Sequence, residues 1–266
     1  MTAKQNPFFD EAWMPKYDAM TPELCSAALE EALPRAERAF RLVEKQLDIS
    51  WRGLVLAPME AVRAPFEVWG TLSHLTSVVN SEAWRAVEER WQPAIIALSQ
   101  KVSQSKAIYE GMLALLAAGE GLEPWQRHVV ERSVQGMRHA GVGLTGAAKA
   151  RFNRAQTELA RLSMRFSNNV LDAEKSTVVE VAPEAAAGIK PDLLQGKGPW
   201  KLGIDFATYD SVMRYAEDAG VRERFWRARV TRASAGKGNN APLIEKILRL
   251  RQQVAELLGL PDYAHL

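Results

Sequence analysis

Residues 95–116 read IIALSQKVSQSKAIYEGMLALL, and their spacing decides the fold class. Apolar or small residues recur there at alternating intervals of three and four positions, namely Ile95, Leu98, Val102, Ser105, Tyr109, Met112 and Leu116. Such intervals place side chains along one face of an α-helix. The stretch therefore predicts one amphipathic helix with a buried face.

The same period extends through most of the chain. Ser and Thr precede several periodic segments as N-caps, and Pro stands at the first helical position of others. In the first of these helices, which begins at Thr21-Pro22, Pro34 predicts either a bend or the true start. Further helices are predicted after Pro58, from Ser81 to about Trp91, from Pro124, from Thr145, from Thr208, over about residues 221–234 and from Asn240 to Gly259. The inner face of the helix from Pro124 would carry Trp125, Val129, Ser133 and Met137. The predicted fold is mainly α, a multi-helix array of antiparallel amphipathic helices.

The segment 176–206 lacks this period, because glycine and proline interrupt it repeatedly. Thr177–Val181 and Trp200–Ile204 are short and β-branched or aromatic, which predicts one small antiparallel β ribbon within residues 177–206. The chain then divides into an N-terminal helical region 1–175, a ribbon and loop 176–206, and a helical segment 207–266.

Composition is that of a globular protein. The 266 residues are 47% hydrophobic and 25% charged, with one cysteine and a net charge of +2. These values exclude a disordered tail, a fibre and a disulfide scaffold. The nearly balanced charge argues against nucleic acid as a partner, and no apolar stretch is long enough to cross a membrane. The opening MTAKQNPFFDEAW contains acidic residues where a secretory signal would be apolar, so a cytoplasmic location is expected.

Gly141–Gly146, GVGLTG, matches the dinucleotide fingerprint G-x-G-x-x-G. That motif binds phosphate only where a strand precedes it and a helix follows it. A helical segment precedes it here, so the sequence favours a tight turn between two helices, with Thr145 as the next cap.

No pattern for catalysis or metal binding is present. The histidines are His74, His128, His139 and His265, and no H-E-x-x-H, nucleophile elbow, P-loop or Cys-x-x-Cys exists. His128 and His139 would lie roughly 16 Å apart on one helix, too far to share an ion. Cys25 falls on an amphipathic helix, as a small core residue would. The sequence predicts no catalytic and no metal-binding residue, and it leaves substrate-binding residues unknown.

A dense arginine run occupies the segment after Val221, at Arg222, Arg224, Arg227, Arg229 and Arg232. Phe225 and Trp226 interleave with it, a combination that nucleic-acid-binding segments also show. Because the net charge is close to zero, a helix with a cationic outer face and a buried Phe225 is the preferred interpretation. Trp226 falls outside that buried register.

Four stretches resemble the N-terminal half of the zinc metallopeptidases of the oligopeptidase A and thimet oligopeptidase family. They are SHLTSVVNS at 73–81, GVGL at 141–144, RFSNNVLDA at 165–173, and a group that begins with YDSVM at 209–213 and continues through TRAS at 231–234 to LLGLPDYA at 257–264. Their order and approximate spacing agree with the family across nearly the whole chain. The third stretch is the most specific.

The resemblance implies a zinc-dependent oligopeptidase whose N-terminal helices form one wall of a channel for short peptides. The family's zinc site lies on a later H-E-x-x-H helix with a downstream Glu, and no position here corresponds to it. We therefore expect zinc in the full-length family but no cofactor in this chain, and residues 207–266 would lead into a catalytic domain. The implied partners are short peptides and the catalytic half, from the same parent chain or a separate one.

Two alternatives stay open. The chain could instead be a stand-alone helical module, descended from a peptidase, that binds peptides or another protein without cleaving them. It could also be a distinct enzyme with an unrecognised site. If it is half of a channel, part of its apolar surface should be built to contact a catalytic domain or a second copy.

Overall fold

The structure, a computed structural model, describes residues 6–10, 14–119 and 121–266. Part of the opening segment from which export was judged therefore lies outside the described residues. The helices are α1 (Pro22–Lys45), α2 (Ala57–Val78), α3 (Glu82–Ser103), α4 (Lys106–Ala117), α5 (Pro124–His139), α6 (Gly146–Ser176), α7 (Phe206–Tyr215), α8 (Ala219–Val230) and α9 (Ala241–Leu257). Strands β1 (Val178–Val181) and β2 (Trp200–Gly203) form a small sheet. The prediction of a mainly α fold is confirmed.

Side-chain caps explain where several helices begin. The Thr21 hydroxyl accepts a hydrogen bond from the Leu24 amide at 3.3 Å, and the Ser81 hydroxyl accepts one from the Trp84 amide at 3.3 Å. Each bond satisfies one of the amides that a helix N-terminus leaves without an intrahelical partner. Both starts agree with the prediction from sequence.

The prediction of one helix through residues 95–116 is wrong. Helix α3 runs without interruption from Glu82 past Pro93 to Ser103, and α4 begins only at Lys106. The helix continues through Pro93 because Trp84, Ile95 and Leu98 are buried along it, and this burial offsets the backbone bond that proline cannot make.

Two polar side chains account for the break between α3 and α4. The Gln104 amide nitrogen donates to the Ala140 carbonyl at 2.8 Å and to Asn153 Oδ1 at 2.7 Å. The Ser105 hydroxyl accepts from the Ile108 amide at 3.3 Å, as an N-cap, and donates to Glu44 Oε1 at 2.6 Å. Most of these partners are distant in sequence, so local periodicity could not reveal the break.

Helical backbone also begins earlier than predicted ahead of α2. A π-helical turn, Arg52–Leu56, leads directly into α2, so helical backbone begins before Pro58. The Ser50 hydroxyl accepts a hydrogen bond from the Gly53 amide at 3.1 Å. A side chain at Gly53 would meet the Asp48 carbonyl at 2.2 Å, so only glycine fits this turn.

Helix α5 buries only part of the face that was predicted, since Met137 is buried as expected but Trp125 and Val129 are exposed. Its buried residues are Val130, Val134 and Met137, whereas Trp125 is 60% exposed and stacks edge-on against Trp51 at 5.2 Å. Both sets of residues satisfy the helical spacing. Only the packing partners decide between them.

The chain divides into two compact units, the first made of residues 1–157 and 255–266 and the second of residues 158–254. The core of the first unit draws on α1 to α5 and includes Phe40, Leu72 and Leu98. The core of the second unit combines the ribbon with α7 and α8 and includes Val181 and Phe225. The division at residues 175/176 and 206/207 rests on composition and stays a prediction.

The predicted ribbon is confirmed. Strands β1 and β2 are antiparallel, with Val178 opposite Gly203 and Val181 opposite Trp200. Alternate residues of β1 are buried, as in a sheet with one face on a core. The loop between the strands contacts the end of α7, where Gly188 has a φ of +80° and a side chain would meet the Tyr215 carbonyl at 1.9 Å.

Candidate functional site

The four histidines occupy separate places. His74 lies on α2, where its ring centroid is 5.6 Å from that of Tyr17, and His128 and His139 lie on α5. His265 Nδ1 is 2.9 Å from Asp262 Oδ1, and this contact helps to lower the pKa of the Asp262 carboxyl. Among residues 6–10, 14–119 and 121–266, no group of three or more His, Cys, Asp or Glu side chains could hold a metal ion.

Cys25 is fully buried in α1, within the core of the first unit. Burial raises the pKa of its thiol to about 12. The nucleophilic thiolate is therefore strongly disfavoured near neutral pH, and the side chain acts as a packing residue.

The GVGLTG stretch connects α5 to α6, and helix α5 rather than a strand precedes it. Gly141 has a φ of +80° and Val142 is buried. These features are those of a tight turn between helices, as the sequence favoured, and they lack the strand that a dinucleotide site requires.

The arginines of α8 are engaged within the protein. Arg229 donates to the Ile204 carbonyl at 2.6 Å and lies over the Tyr209 ring at 4.9 Å, and Arg222 donates to the Ala216 carbonyl at 2.5 Å. Arg227 pairs with Glu223 of its own helix at 2.8 Å. Much of the cationic run therefore bonds to groups within the protein. Trp226 is 47% exposed and lies outside the buried register, as predicted.

A groove of about 1480 Å³ lies between α1 and the helical segment that begins at Arg52. Small residues line both sides of the groove, and their short side chains leave space between the two helices. They are Ala32, Ala36 and Ala39 on α1 and Ala57, Ala61 and Ala64 on α2. The groove was not predicted, although both alanine series have the spacing four then three, a signal visible in the sequence.

The charged residues at this groove are largely neutralised. Arg63 lies 3.1 Å from Glu60 and 3.2 Å from Glu67, and Arg35 pairs with Glu31 at 2.8 Å. Between these charged residues the groove is lined mainly by apolar side chains, which include Val43 and Phe66. Such a surface can hold an apolar segment of a peptide or protein, but it offers no reactive group.

A smaller cavity of about 380 Å³ lies in the second unit. Asn169, Asp172 and Ser176 of α6 line it together with Lys237 of the loop before α9. Asn169 Nδ2 donates to Asn240 Oδ1 at 2.8 Å beside this cavity. The stretch that most resembles the peptidase family therefore serves here as a connection between α6 and α9.

None of the described helices is both long enough and apolar enough to cross a lipid bilayer.

Comparison with known proteins relates both parts of the chain to peptidases. The family model described as Neurolysin/Thimet oligopeptidase, N-terminal domain, matches residues 29–149, and that of peptidase family M3 matches residues 212–266. The chain is 30% identical to the probable cytosolic oligopeptidase A of Arabidopsis thaliana, over 99% of this chain and 40% of that protein. It is 30% identical to oligopeptidase A of Haemophilus influenzae and 29% identical to that of Escherichia coli, over 98% and 97% of this chain and 41% of each relative.

The chain thus spans about 40% of the length of the curated relatives it matches. The matches run through both compact units, in the order that the four short stretches indicated. Residues 29–149 thus match the oligopeptidase N-terminal domain, residues 212–266 match part of peptidase family M3, and the chain is similar to oligopeptidase A over nearly its whole length.

Proposed function

We propose that this chain forms the N-terminal, channel-wall part of a zinc metallo-oligopeptidase that degrades short peptides. The observation that carries the proposal is the order of the two family matches, an oligopeptidase N-terminal domain at 29–149 followed by a peptidase segment at 212–266. The remaining 60% or so of the relatives' length would supply the catalytic half.

The zinc of the family does not fit the residues described here. The Tyr17 ring contacts that of His74 in a tilted arrangement, Asp262 contacts His265, and the described residues include no cluster of three metal ligands. Zinc in proteins takes three or four such ligands. We therefore assign zinc and the chemistry of hydrolysis to the catalytic half.

This chain's own contribution would be to bind and orient peptides. The apolar groove between α1 and α2 supports that role, since Val62, Phe66 and the alanine series offer shape and apolar contact without reactive groups.

A cytoplasmic location is proposed as well. The similar protein of Arabidopsis thaliana is named as probably cytosolic, while a second relative at 29% identity is named as organellar. Fractionation of the source cells, with antibodies against this chain, would decide the location.

The proposal is tested by supplying the missing half. The chain is co-expressed with the part of Escherichia coli oligopeptidase A that it does not match, and a short quenched-fluorescent peptide reports cleavage. We expect a complex and chelator-sensitive cleavage from the pair, and neither from each part alone. Sequencing the coding region past Leu266 for an H-E-x-x-H, in the same or a neighbouring frame, gives an independent test.

The alternative of a binding module makes a different prediction. Isothermal titration of the chain alone with the same peptide would then give saturable binding, while the catalytic half would form no complex. That combination of results would contradict the proposed role in a peptidase.

A further inference from the structure

Helix α9 has large apolar side chains that are exposed as well as ones that are buried. Leu243, Ile247 and Val254 are buried, yet Ile244 is 45% exposed and Leu248 is 56% exposed. The two exposed residues are four positions apart and therefore lie one above the other on the helix. Their face is next to the buried one, so the apolar arc of α9 extends beyond its buried residues.

Most other exposed side chains of α9 are polar. Glu245 and Arg249 form an ion pair at 3.4 Å in which both side chains are at least 70% exposed. This pair lies on the solvent side, as i, i+4 pairs usually do. The exposed isoleucine and leucine are thus not part of a generally apolar helix, but form a single two-residue stripe.

A second stripe of the same kind occurs on α8. Val221 and Phe225 are buried, while Trp226 is 47% exposed and Val230 is 53% exposed, again four positions apart. Both stripes fall within residues 212–266, the segment that matches peptidase family M3. Large exposed apolar side chains in adjacent turns are typical of surfaces that another protein covers.

We propose that the α9 stripe, Ile244 and Leu248, is the docking surface for the catalytic half of the peptidase. The inference rests on the proposed function and adds the face by which the two halves meet. The occupant follows from two observations, the position of α9 inside the peptidase-family match and the roughly 60% of relatives' length that lies outside this chain. A second copy of the chain is the competing occupant.

Protection of a single introduced thiol from chemical labelling tests the inference without placing a charged side chain on the surface. Leu248→Cys is compared with Leu42→Cys on α1, because both leucines are 56% exposed and the native Cys25 is buried. Maleimide labelling is measured for each variant alone and with the unmatched part of Escherichia coli oligopeptidase A. We expect labelling of Leu248→Cys to slow at least tenfold in the complex and that of Leu42→Cys to be unchanged.

A second pair of variants measures affinity. Ile244→Asp with Leu248→Asp should weaken the complex at least tenfold, whereas Leu42→Asp should not, provided that circular dichroism shows the helix content of both to be native. If wild-type halves form an active complex in which position 248 is labelled as fast as before, the docking surface is wrong and the proposed function stands. If the halves do not associate, the proposed function fails together with this inference. Labelling of Leu248→Cys alone that slows with rising concentration would show a second copy as the occupant and overturn the proposal.

Discussion

Asn169 of α6 donates a side-chain hydrogen bond to Asn240, 71 residues later in the sequence, at a distance of 2.8 Å. Asn240 in turn donates to the Phe166 carbonyl at 3.1 Å and is only 4% exposed. Two asparagines thereby fix the N-terminus of α9 to the middle of α6. Within the RFSNNVLDA stretch, Asn169 rather than the adjacent Asn168 makes this side-chain bond to Asn240.

Replacing Asn240 by alanine should destabilise the protein by about 1–3 kcal/mol, because the half-buried Asn169 amide and Phe166 carbonyl would each lose a hydrogen-bond partner. Urea denaturation followed by circular dichroism measures the change. Asn168→Ala is the matched control, since it removes the neighbouring amide of the same stretch and leaves the bond between Asn169 and Asn240 intact. Equal loss in both variants would contradict the role given to Asn240.

Arg229 should matter far more than Arg227, although both belong to the same arginine run. The Arg229 side chain is 18% exposed and bonds to the Ile204 carbonyl, whereas that of Arg227 is 68% exposed and pairs only within its helix. We expect Arg229→Met to cost about 1.5–3 kcal/mol. Arg227→Met should cost about 0.5 kcal/mol or less, as an exposed i, i+4 pair does. Thermal and urea unfolding of the two variants decide the order, and a reversed order would refute it.

Ser105 should account for the separation of α3 and α4. Ser105→Ala removes the cap of α4 and the bond to Glu44, with an expected cost of about 1–2 kcal/mol. Ser103→Ala serves as the control, because its exposed hydroxyl bonds only to the Ser99 carbonyl of its own helix. An unfolding midpoint that is the same for both variants would show that the break has another cause.

The buried thiol predicts a pH dependence with a definite sign. Because the pKa of Cys25 is about 12 in the folded protein and about 8.5 in an unfolded chain, the folded state holds its proton more strongly. Its contribution to stability is therefore complete below about pH 8.5 and is lost as the pH rises from there toward 12. The difference in unfolding free energy between wild type and Cys25→Ala, measured from pH 7 to 10.5, should shift against wild type as the pH rises. Rapid reaction of the native thiol with Ellman's reagent at pH 8 would contradict this burial.

Zinc should not be a component of the isolated chain. The described histidines are dispersed, so metal analysis of the purified protein should give well below one equivalent, and a chelator should leave the unfolding temperature unchanged. One tightly bound equivalent, together with peptide cleavage that a chelator abolishes, would reveal a site that these residues do not indicate.

Much of the fold could be read from local signals. The caps at Thr21 and Ser81, the proline at the first position of α5 and the β-branched ribbon segments act within about four residues, so the sequence next to each element is enough to place it. The resemblance to a family was recognisable for a similar reason, because short stretches of the sequence carry it. The missing zinc motif was equally visible, since H-E-x-x-H is a local pattern.

Other features depend on partners that are distant in the chain. Either face of α5 satisfies the helical period, and only the packing chose Val130 over Trp125. The break at Ser105 depends on Ala140, Asn153 and Glu44, and Arg229 of α8 donates to the carbonyl of Ile204, 25 residues away in the sequence.

Periodicity, caps and motifs were therefore determined by the sequence itself, because backbone hydrogen bonds and side-chain spacing are local properties. Only the tertiary structure decided which face of a helix is buried and where a long helix breaks. It also decided where the groove opens and which groups the arginines bond to. The physical reason is that burial and side-chain hydrogen bonding are energies of contact between segments, and no single segment contains both partners.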